Sequence, residues 1–347
     1  MSGHMSQDSQ KKRAVVAFFG ISGVMVRLAT RSASRRARAA EAVATGPLGA
    51  LSHDELGVIF DGLADPLQPV VAVALSSTCL GLRTPLKAAL EVLAKQHKRA
   101  VKLCSRLNLT CAELPDYVLE HERVVWVSTR LTTDEMATIG MILRRNSLPA
   151  LVALNLACND VGDAGLQALC EGLGRGCAPS LRDLNLGFNK FGPGGAGALA
   201  AALRRGAMPK LETLRVGNND IGNQGMAALA SSLRKRPAFT HLHLQDCDID
   251  DEGVALLVGD LGKDDFKKLA YLNLDKTVFP PVFSPTTKVI TRVGGATLVS
   301  AIKAGALPCL KFVDLDEASV SKEARVALVD ALAGRGGAAG SQLALEA

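Results

Sequence analysis

Aromatic side chains are scarce in this sequence, and recognisable catalytic motifs are missing from it. Phe, Trp and Tyr make up 4% of the 347 residues, with one Trp and two Tyr. The core is therefore built mainly from Leu, Val, Ile and Ala, which suits thin layers of interdigitating side chains. A phosphate-binding loop, a GxSxG motif and a local Cys–His signature are all lacking. These absences favour a non-catalytic protein that needs no cofactor.

Cysteine pairs at metal-binding or redox spacing are also lacking. The eight cysteines contain no CxxC, and several fall where the pattern calls for a small apolar residue. We therefore predict reduced core thiols, without disulfides or bound metal. Reduced thiols are typical of a cytoplasmic or nuclear protein.

Positive charge is confined to the N-terminus. Of the 40 Lys and Arg, eight lie in residues 1–40 against one acid, Asp8, which leaves 32 basic and 33 acidic residues in the rest. The net charge of +6 thus comes from an N-terminal arm and does not indicate a basic binding groove in the rest of the chain. This distribution argues against nucleic acid as the partner.

Residues 1–46 form this basic arm. Residues 11–13 are Lys-Lys-Arg, and the thirteen mostly apolar residues 14–26 that follow are too few to span a bilayer. Four arginines then recur at helical spacing without an intervening acid: Arg27, Arg31, Arg35 and Arg38. Two readings stay open, a disordered basic tail or an organellar targeting signal in residues 11–40.

An internal repeat dominates the rest of the chain. Three blocks align without gaps at a period of 30, starting at Leu151, Leu181 and Leu211. Further blocks start at Phe239, Leu269 and Leu310, and the last interval exceeds the period by the eleven residues 278–288. Self-similarity at such a period is typical of a solenoid.

Each repeat reads LxxLxLxxN, then a glycine-containing turn, then a segment with apolar residues four apart. The first half alternates as in a short strand, and the second has the periodicity of one helix face. Prolines before most repeats end each helix. Asn159, Asn189 and Asn219 fall where the strand bends away, and we expect their amides to satisfy backbone groups there.

This repeat resembles the ribonuclease-inhibitor type of leucine-rich repeat. The resemblance implies an α/β solenoid over residues 116–335, with a curved parallel sheet on the concave face, helices on the convex face and a flexible tail at 336–347. A degenerate first unit places Val124 and Trp126 in register thirty residues before the next, so Trp126 is expected in the core. The resemblance further implies a protein target on the concave face.

The register predicts which side chains point outward from the sheet. The candidate binding residues are Asn155, Asp183, Asn185, Thr213, Arg215, His241, His243, Gln245, Tyr271, Asn273, Asp275, Phe312, Asp314 and Asp316. His241 and His243 share a face and could hold a metal, but the matching positions of adjacent repeats, Arg215 and Asn273, are poor ligands. A protein-binding role is the favoured interpretation.

The insertion at 278–288 carries Phe279, Phe283 and three prolines. Prolines reduce the entropy lost when a loop becomes ordered on binding. The loop either contributes to partner recognition or packs back on the helical side.

Residues 47–115 form a predicted helical segment ahead of the repeats. Its first part resembles an F-box, on Leu51, Leu56, Ile59, Phe60 and Leu63. That resemblance implies docking of these residues on the adaptor of an SCF-type ubiquitin ligase, with the repeats holding a substrate. Ser52 stands where the family usually has Pro, and an aromatic residue usual near the end is lacking. The alternative is an all-helical N-terminal cap on the first repeat.

These patterns predict a protein-interaction module. The F-box resemblance implies that this module is a substrate receptor of a ubiquitin ligase. The alternative function is regulation of an enzyme, as in ribonuclease inhibitors or the activator of the GTPase Ran, which this repeat type also resembles. A near-neutral solenoid is unlike an inhibitor of a basic ribonuclease. The sequence does not identify the partner or the oligomeric state.

Overall fold

The computed structural model describes residues 59–60, 63–77, 80–106, 108–259, 261–262, 264–275, 290–315 and 321–333. These residues divide into two compact units, with the boundary after Glu113. The predicted arm 1–46, the insertion 278–288 and the tail 336–347 lie outside the described residues.

The first unit is helical. It contains α1 (Val70–Ser77) and the long helix α2 (Leu80–Arg106). Phe60, Ala72, Leu86 and Leu93 form its buried apolar cluster. This cluster spans the segment before α1 and both helices, so the unit has a core of its own.

The second unit alternates short strands with helices. Its elements in chain order are α3 (Glu113–His121), β1 (Arg123–Val125), α4 (Thr133–Arg144), β2 (Ala153–Asn155), α5 (Gly162–Cys170), β3 (Asp183–Asn185), α6 (Pro193–Arg204), β4 (Thr213–Arg215), α7 (Gly222–Leu233), β5 (His241–His243), α8 (Asp251–Val258), β6 (Tyr271–Asn273), α9 (Arg292–Lys303), β7 (Phe312–Asp314) and α10 (Lys322–Ala333). The strands form one seven-stranded sheet in sequential order, and every neighbouring pair is parallel.

The strand register confirms the predicted repeat. Leu154 pairs with Leu184 and Leu184 with Leu214 at offsets of 30, and Leu214 pairs with Leu242 at an offset of 28. The step from Leu272 to Val313 spans the insertion. Val124 pairs with Leu154, so the degenerate first unit is a true repeat. The predicted α/β leucine-rich repeat solenoid is thereby confirmed.

The core lies between the sheet and the helices. The middle residue of each strand is buried, while its neighbours are partly or fully exposed. Trp126 is 5% exposed, which confirms its predicted place in the core. Alternation of side chains along each strand therefore separates core from surface.

An asparagine ladder closes the turns after β2, β3 and β4. The Nδ2 of Asn189 donates to the carbonyls of Leu156 (2.9 Å) and Leu186 (3.0 Å), and its Oδ1 accepts from the backbone N–H of Asn159. Asn159 and Asn219 repeat this pattern. In the next repeat Cys247 takes the asparagine position, and its thiol lies 3.3 Å from the Val216 carbonyl. The ladder confirms the structural role predicted for the three asparagines.

The starts of two helices, α6 and α9, are satisfied by a carboxylate of the preceding repeat. The Oδ1 of Asp163, in α5, accepts from the backbone N–H groups of Gly192 and Gly195 at the start of α6, both at 2.7 Å. Asp251, in α8, accepts in the same way from Thr291 and Gly294 at the start of α9. Carboxylates at these positions satisfy orphan donors and complement the helix dipole.

The cysteine prediction holds only in part. Five of the described cysteines are buried free thiols: Cys104, Cys111, Cys170, Cys177 and Cys247. Burial raises the pKa of the Cys170 thiol to about 12, which keeps it protonated. Cys158 and Cys309 are exposed, so the prediction of core thiols is wrong for them. Cys158 follows the strand in a left-handed turn (φ 60°), where the side chain points away from the core.

Among the helices that the model describes, none combines the length and the apolar character needed to cross a bilayer.

Candidate functional site

The outward-pointing side chains of the seven strands form one surface, which we call the sheet face. Pairing brings Asp183, Thr213, His241, Tyr271 and Phe312 into one row. A second row contains Asn155, Asn185, Arg215, His243, Asn273 and Asp314. Gln245 and Asp275 are partly exposed just beyond their strands. Asp316, Phe279 and Phe283 lie outside the described residues.

The first strand extends this face beyond the prediction. Arg123 pairs with Ala153 and Val125 with Asn155, which places both side chains in the same rows. Val125 is 53% exposed, and Val127 is exposed two residues later. The offset of thirty residues that places Val124 in the core also identifies these outward neighbours. The N-terminal end of the face therefore exposes two valines beside Arg123.

Phe188 is a second residue that sequence reasoning missed. It lies in the turn after β3, is 55% exposed, and has a φ of 57°. Ser128, Cys158, Asn218 and Asp246 take the same left-handed conformation at the matching turns. Left-handed backbone is unfavourable for a bulky side chain and tolerated best by Asn, Asp and Gly. Phe188 thus exposes an aromatic ring from a turn that suits small polar residues.

An ion pair occupies the middle of the sheet face. The guanidinium of Arg215, on β4, contacts both carboxylate oxygens of Asp183, on β3, and its Nη1 lies 2.6 Å from Oδ2. Both side chains are about a third exposed, so the pair contributes little to stability. Its main effect is to hold Arg215 towards β3.

Beside this pair lies a cluster that we call the aromatic–carboxylate patch, comprising His241, His243, Tyr271, Asn273 and Asp314. The ring centroids of His243 and Tyr271 are 4.8 Å apart, and those of His241 and Tyr271 are 5.9 Å apart. The Tyr271 hydroxyl donates to Asp314. The Nδ2 of Asn273 lies 3.3 Å from both the Tyr271 hydroxyl and the Asp314 carboxylate.

The two histidines of the patch are held in their neutral form. Burial lowers the pKa of His243 to about 4, assisted by the nearby charges of Arg215 and His241. Burial and Arg215 also lower the pKa of His241. The pKa of Tyr271 is raised, because burial and the hydrogen bond to Asp314 both disfavour loss of its proton. At neutral pH the patch therefore carries no positive charge of its own.

The low pKa of His243 predicts acid sensitivity of the repeat unit. Between pH 6.5 and about 4 the unfolded chain takes up a proton that the folded chain does not, so stability falls as pH is lowered through that window. We expect His243→Gln to reduce the loss of Tm between pH 6.5 and 4.5 by about 3 °C.

Thermal unfolding monitored by circular dichroism at both pH values measures this effect. His121→Gln is the matched control, because His121 is exposed and stacks on Tyr117 in α3. An equal acid loss in wild type and His243→Gln would contradict the assignment.

Gln245 covers the backbone of the neighbouring repeat. A Cβ built at Gly217 would lie 2.3 Å from the end of the Gln245 side chain, so this side chain packs directly on the glycine backbone. The Oε1 of Gln245 is buried and has no hydrogen-bond partner in the described structure. The Gln245 side chain is consequently packed against the backbone of the preceding repeat.

The metal alternative for His241 and His243 gains no support. Within the described residues, no group of three or more His, Cys, Asp or Glu side chains gathers in a way that could hold a metal ion. Asn273 and Arg215 flank His243 in the strand register, as the sequence predicts. Neither supplies a suitable ligand.

The predicted adaptor-binding residues fall in the helical unit. Phe60 is buried in its apolar cluster, and Ile59 and Leu63 pack against that cluster. Leu51 and Leu56 lie outside the described residues. Exposed apolar side chains occur instead on the following helix, at Val70 and Val73 of α1.

Comparisons with known proteins identify the repeats. The leucine-rich repeat family model matches residues 148–170, 177–200, 207–230 and 239–258. The chain therefore contains leucine-rich repeats; the ribonuclease-inhibitor type and the F-box-like segment stay predictions. A search of curated proteins by sequence found no match.

Two solved structures are similar in fold. One is the C-terminal domain of tropomodulin from Caenorhabditis elegans, at 16% identity and a TM-score of 0.33, covering 58% of this chain and 93% of that chain. The other is actin-binding site 2 of leiomodin-1, at 14% identity and a TM-score of 0.35, covering 58% of this chain and 88% of that chain.

Proposed function

We propose that this leucine-rich repeat chain is a non-catalytic interaction module that binds a segment of a protein partner on its sheet face. The observation that carries the proposal is the exposure of apolar and aromatic side chains on that face. Val125, Val127 and Phe188 are exposed at one end, and Tyr271 and Phe312 are partly exposed at the other. Aromatic and apolar side chains flanked by charge are favoured as binding hot spots.

The dimensions of the face limit what it can hold. Seven parallel strands at ~4.8 Å spacing span ~29 Å between the first and last strand. A helix of about 19 residues covers that length at 1.5 Å per residue. The sheet face thus suits one helix, loop or extended segment of a partner.

Substitution of one exposed valine tests the proposal. We expect Val125→Asp to reduce recovery of the partner about tenfold, because a carboxylate would be buried unpaired in the complex. The measurement is quantitative mass spectrometry after affinity capture with the tagged full chain from nuclease-treated lysate of the source organism. Nuclease removes contacts mediated by nucleic acid through the basic arm.

Val293→Asp is the matched control for this capture. Val293 is an exposed valine on α9, away from the strands, and its substitution should leave recovery unchanged. Circular dichroism establishes that both variants are folded. Loss of the partner with Val293→Asp but not with Val125→Asp would place binding on the helices and refute the proposal.

A finer proposal concerns residues 47–82, which we propose dock on an SCF-type adaptor. It is supported by the exposure of Val70 (74%) and Val73 on α1, which leaves apolar surface available to a partner. Because Phe60 belongs to the core, its substitution would unfold the unit. Val70→Asp with Val73→Asp is the suitable variant in the same capture, and it should lose adaptor and cullin while keeping the sheet-face partner.

Regulation of an enzyme uses the same surface and is distinguished by the identity of the captured partner. If that partner is a GTPase, adding the full chain should accelerate GTP hydrolysis, and Val125→Asp should abolish the acceleration. An unchanged rate of hydrolysis would leave binding without regulation.

A further inference from the structure

We infer that the bound segment of the partner inserts an arginine into the aromatic–carboxylate patch and places an apolar side chain against Phe188. This inference rests on the proposed function and specifies the chemistry of the partner. It commits to a cationic side chain at the β5–β7 end of the sheet face and an apolar side chain near β3.

The hydrogen bonds within the patch determine what it can offer a ligand. The Tyr271 hydroxyl donates to Asp314, and the Asn273 amide lies within 3.3 Å of the same carboxylate. Both donors are therefore turned towards Asp314. The Asp314 carboxylate remains as the charged acceptor for a ligand. The imidazoles of His241 and His243 add no positive charge, because burial disfavours protonation of both rings, and Nδ1 of His241 is already hydrogen-bonded to Thr240.

Arginine matches such a set of groups better than other side chains. It carries five N–H donors and no acceptor, and its planar guanidinium stacks on aromatic rings. Tyr271 supplies the ring and Asp314 the carboxylate, on adjacent strands. A partner carboxylate at this place would be repelled by Asp314 and would find few donors.

The charge of the face favours the same ligand. From β3 to β7 and the residues directly after them, the described outward side chains include one basic residue, Arg215, and three acids, Asp183, Asp275 and Asp314. Arg215 is held by Asp183. Asp314, on β7, therefore supplies the negative charge of the patch.

Phe188 provides the second anchor. Its matching residues in other repeats are Ser128, Cys158, Asn218 and Asp246, so a small polar side chain satisfies the turn. The phenyl ring adds exposed apolar area from a left-handed backbone, which raises the energy of the free protein. The exposure of the Phe188 ring in spite of this unfavourable backbone conformation supports a role in binding.

The spacing of the two anchors restricts the partner further. Three strand intervals separate β3 from β6, which corresponds to ~14 Å across the sheet. Phe188 also lies beyond the end of β3, so the two anchors are at least that far apart. An extended segment spans that distance in about four residues, and a helix in about nine. The arginine and the apolar residue of the partner are therefore close in sequence.

Selection from a library of random twelve-residue peptides displayed on phage tests the inference on the full chain. We expect enriched peptides to contain an arginine and an apolar residue separated by at least about four positions if extended, or about nine if helical. A consensus peptide is then synthesised, and fluorescence anisotropy measures its Kd against the wild-type chain and its variants.

Three variants examine the two anchors. Asp314→Asn, whose amide oxygen still accepts from Tyr271, should weaken the consensus peptide about tenfold and reduce the salt dependence of Kd. Tyr271→Leu should weaken it by a similar factor. Phe188→Asn should weaken it while raising Tm by about 2 °C, since Asn tolerates the left-handed turn. A merely structural phenylalanine would not produce that opposite pair of changes.

The outcomes separate this inference from the proposed function. Enriched peptides that lack arginine, or that bind Asp314→Asn as tightly as wild type, would overturn the inference while leaving the sheet face as the binding surface. Failure to enrich any peptide, or loss of the peptides with Val293→Asp alone, would overturn the proposed function and the inference with it.

Discussion

Replacing Asn189 with alanine is expected to lower the free energy of unfolding by about 3 kcal/mol. Asn189 is 1% exposed. Its removal leaves the backbone N–H of Asn159 without its acceptor in a site closed to water. It also takes one donor each from the carbonyls of Leu156 and Leu186, which then accept only from Asn159 and Asn219. Leaving a buried backbone group without a hydrogen bond lowers the free energy of unfolding more than losing a surface hydrogen bond does, because water cannot reach the buried group to replace the bond. Urea denaturation followed by circular dichroism measures the change.

Asn185→Ala is the matched control for this experiment. Asn185 belongs to the same repeat but is partly exposed, and its Oδ1 accepts one bond, from the N–H of Gly187 at 3.0 Å. Water can replace that bond, so we expect a loss below about 1 kcal/mol. Equal losses for the two variants would show that the ladder does not carry the stability assigned to it.

Replacing Gly140 with alanine is expected to destabilise the repeat unit by about 2 kcal/mol, although alanine is the better helix former. A Cβ at this position of α4 would lie 2.3 Å from the carbonyl oxygen of Leu169 in α5. The obstacle is backbone, which cannot rotate away as a side chain can. The two helices would have to move apart and lose contact along their length.

Gly197→Ala supplies a control of opposite sign. Gly197 lies within α6, and a Cβ there meets no atom within 4 Å. Alanine should therefore stabilise the protein by about 0.5 to 1 kcal/mol through its helix propensity alone. If Gly140→Ala also raised stability in urea denaturation, the close approach of α4 and α5 would be refuted.

The strand register and the asparagine ladder were predictable because they depend on spacing. A period of thirty fixes that Leu154, Leu184 and Leu214 lie side by side, and alternation along a strand fixes which neighbours point outward. The same spacing places Asn159 and Asn189 at matching positions of adjacent repeats. No information beyond the order of residues was required for these features.

Other features of the site depend on choices between side chains that spacing does not decide. Arg215 could have reached towards β5, but it bonds Asp183 on β3 instead. The low pKa of His243 follows from its burial beside Arg215 and His241, which only the packed structure reveals. Phe188 escaped prediction because a phenylalanine in a repeat suggests core, whereas the left-handed turn directs it to solvent.

The F-box-like segment illustrates a different limit. Its resemblance rests on apolar residues at helical spacing, and a helical core has the same pattern. Phe60 is buried in such a core, while the exposed Val70 and Val73 on α1 carry no distinctive motif. A hydrophobic pattern reveals which residues are apolar and not which of them a partner touches, so the adaptor-binding role stays a prediction.

Some hydrogen bonds between repeats have their acceptor in the preceding repeat, and others have it in the following repeat. This difference has a consequence for synthesis on the ribosome. Asp163 in α5 is already in place when the start of α6 needs its acceptor. The turn after β2, by contrast, waits for Asn189 of the following repeat. A nascent chain that has emerged as far as α5 would thus hold the acceptor for the start of α6, while its turn after β2 is still incomplete. Each repeat is finished only by its successor, so truncation between repeats should leave a frayed last turn, whereas the preceding helices remain intact.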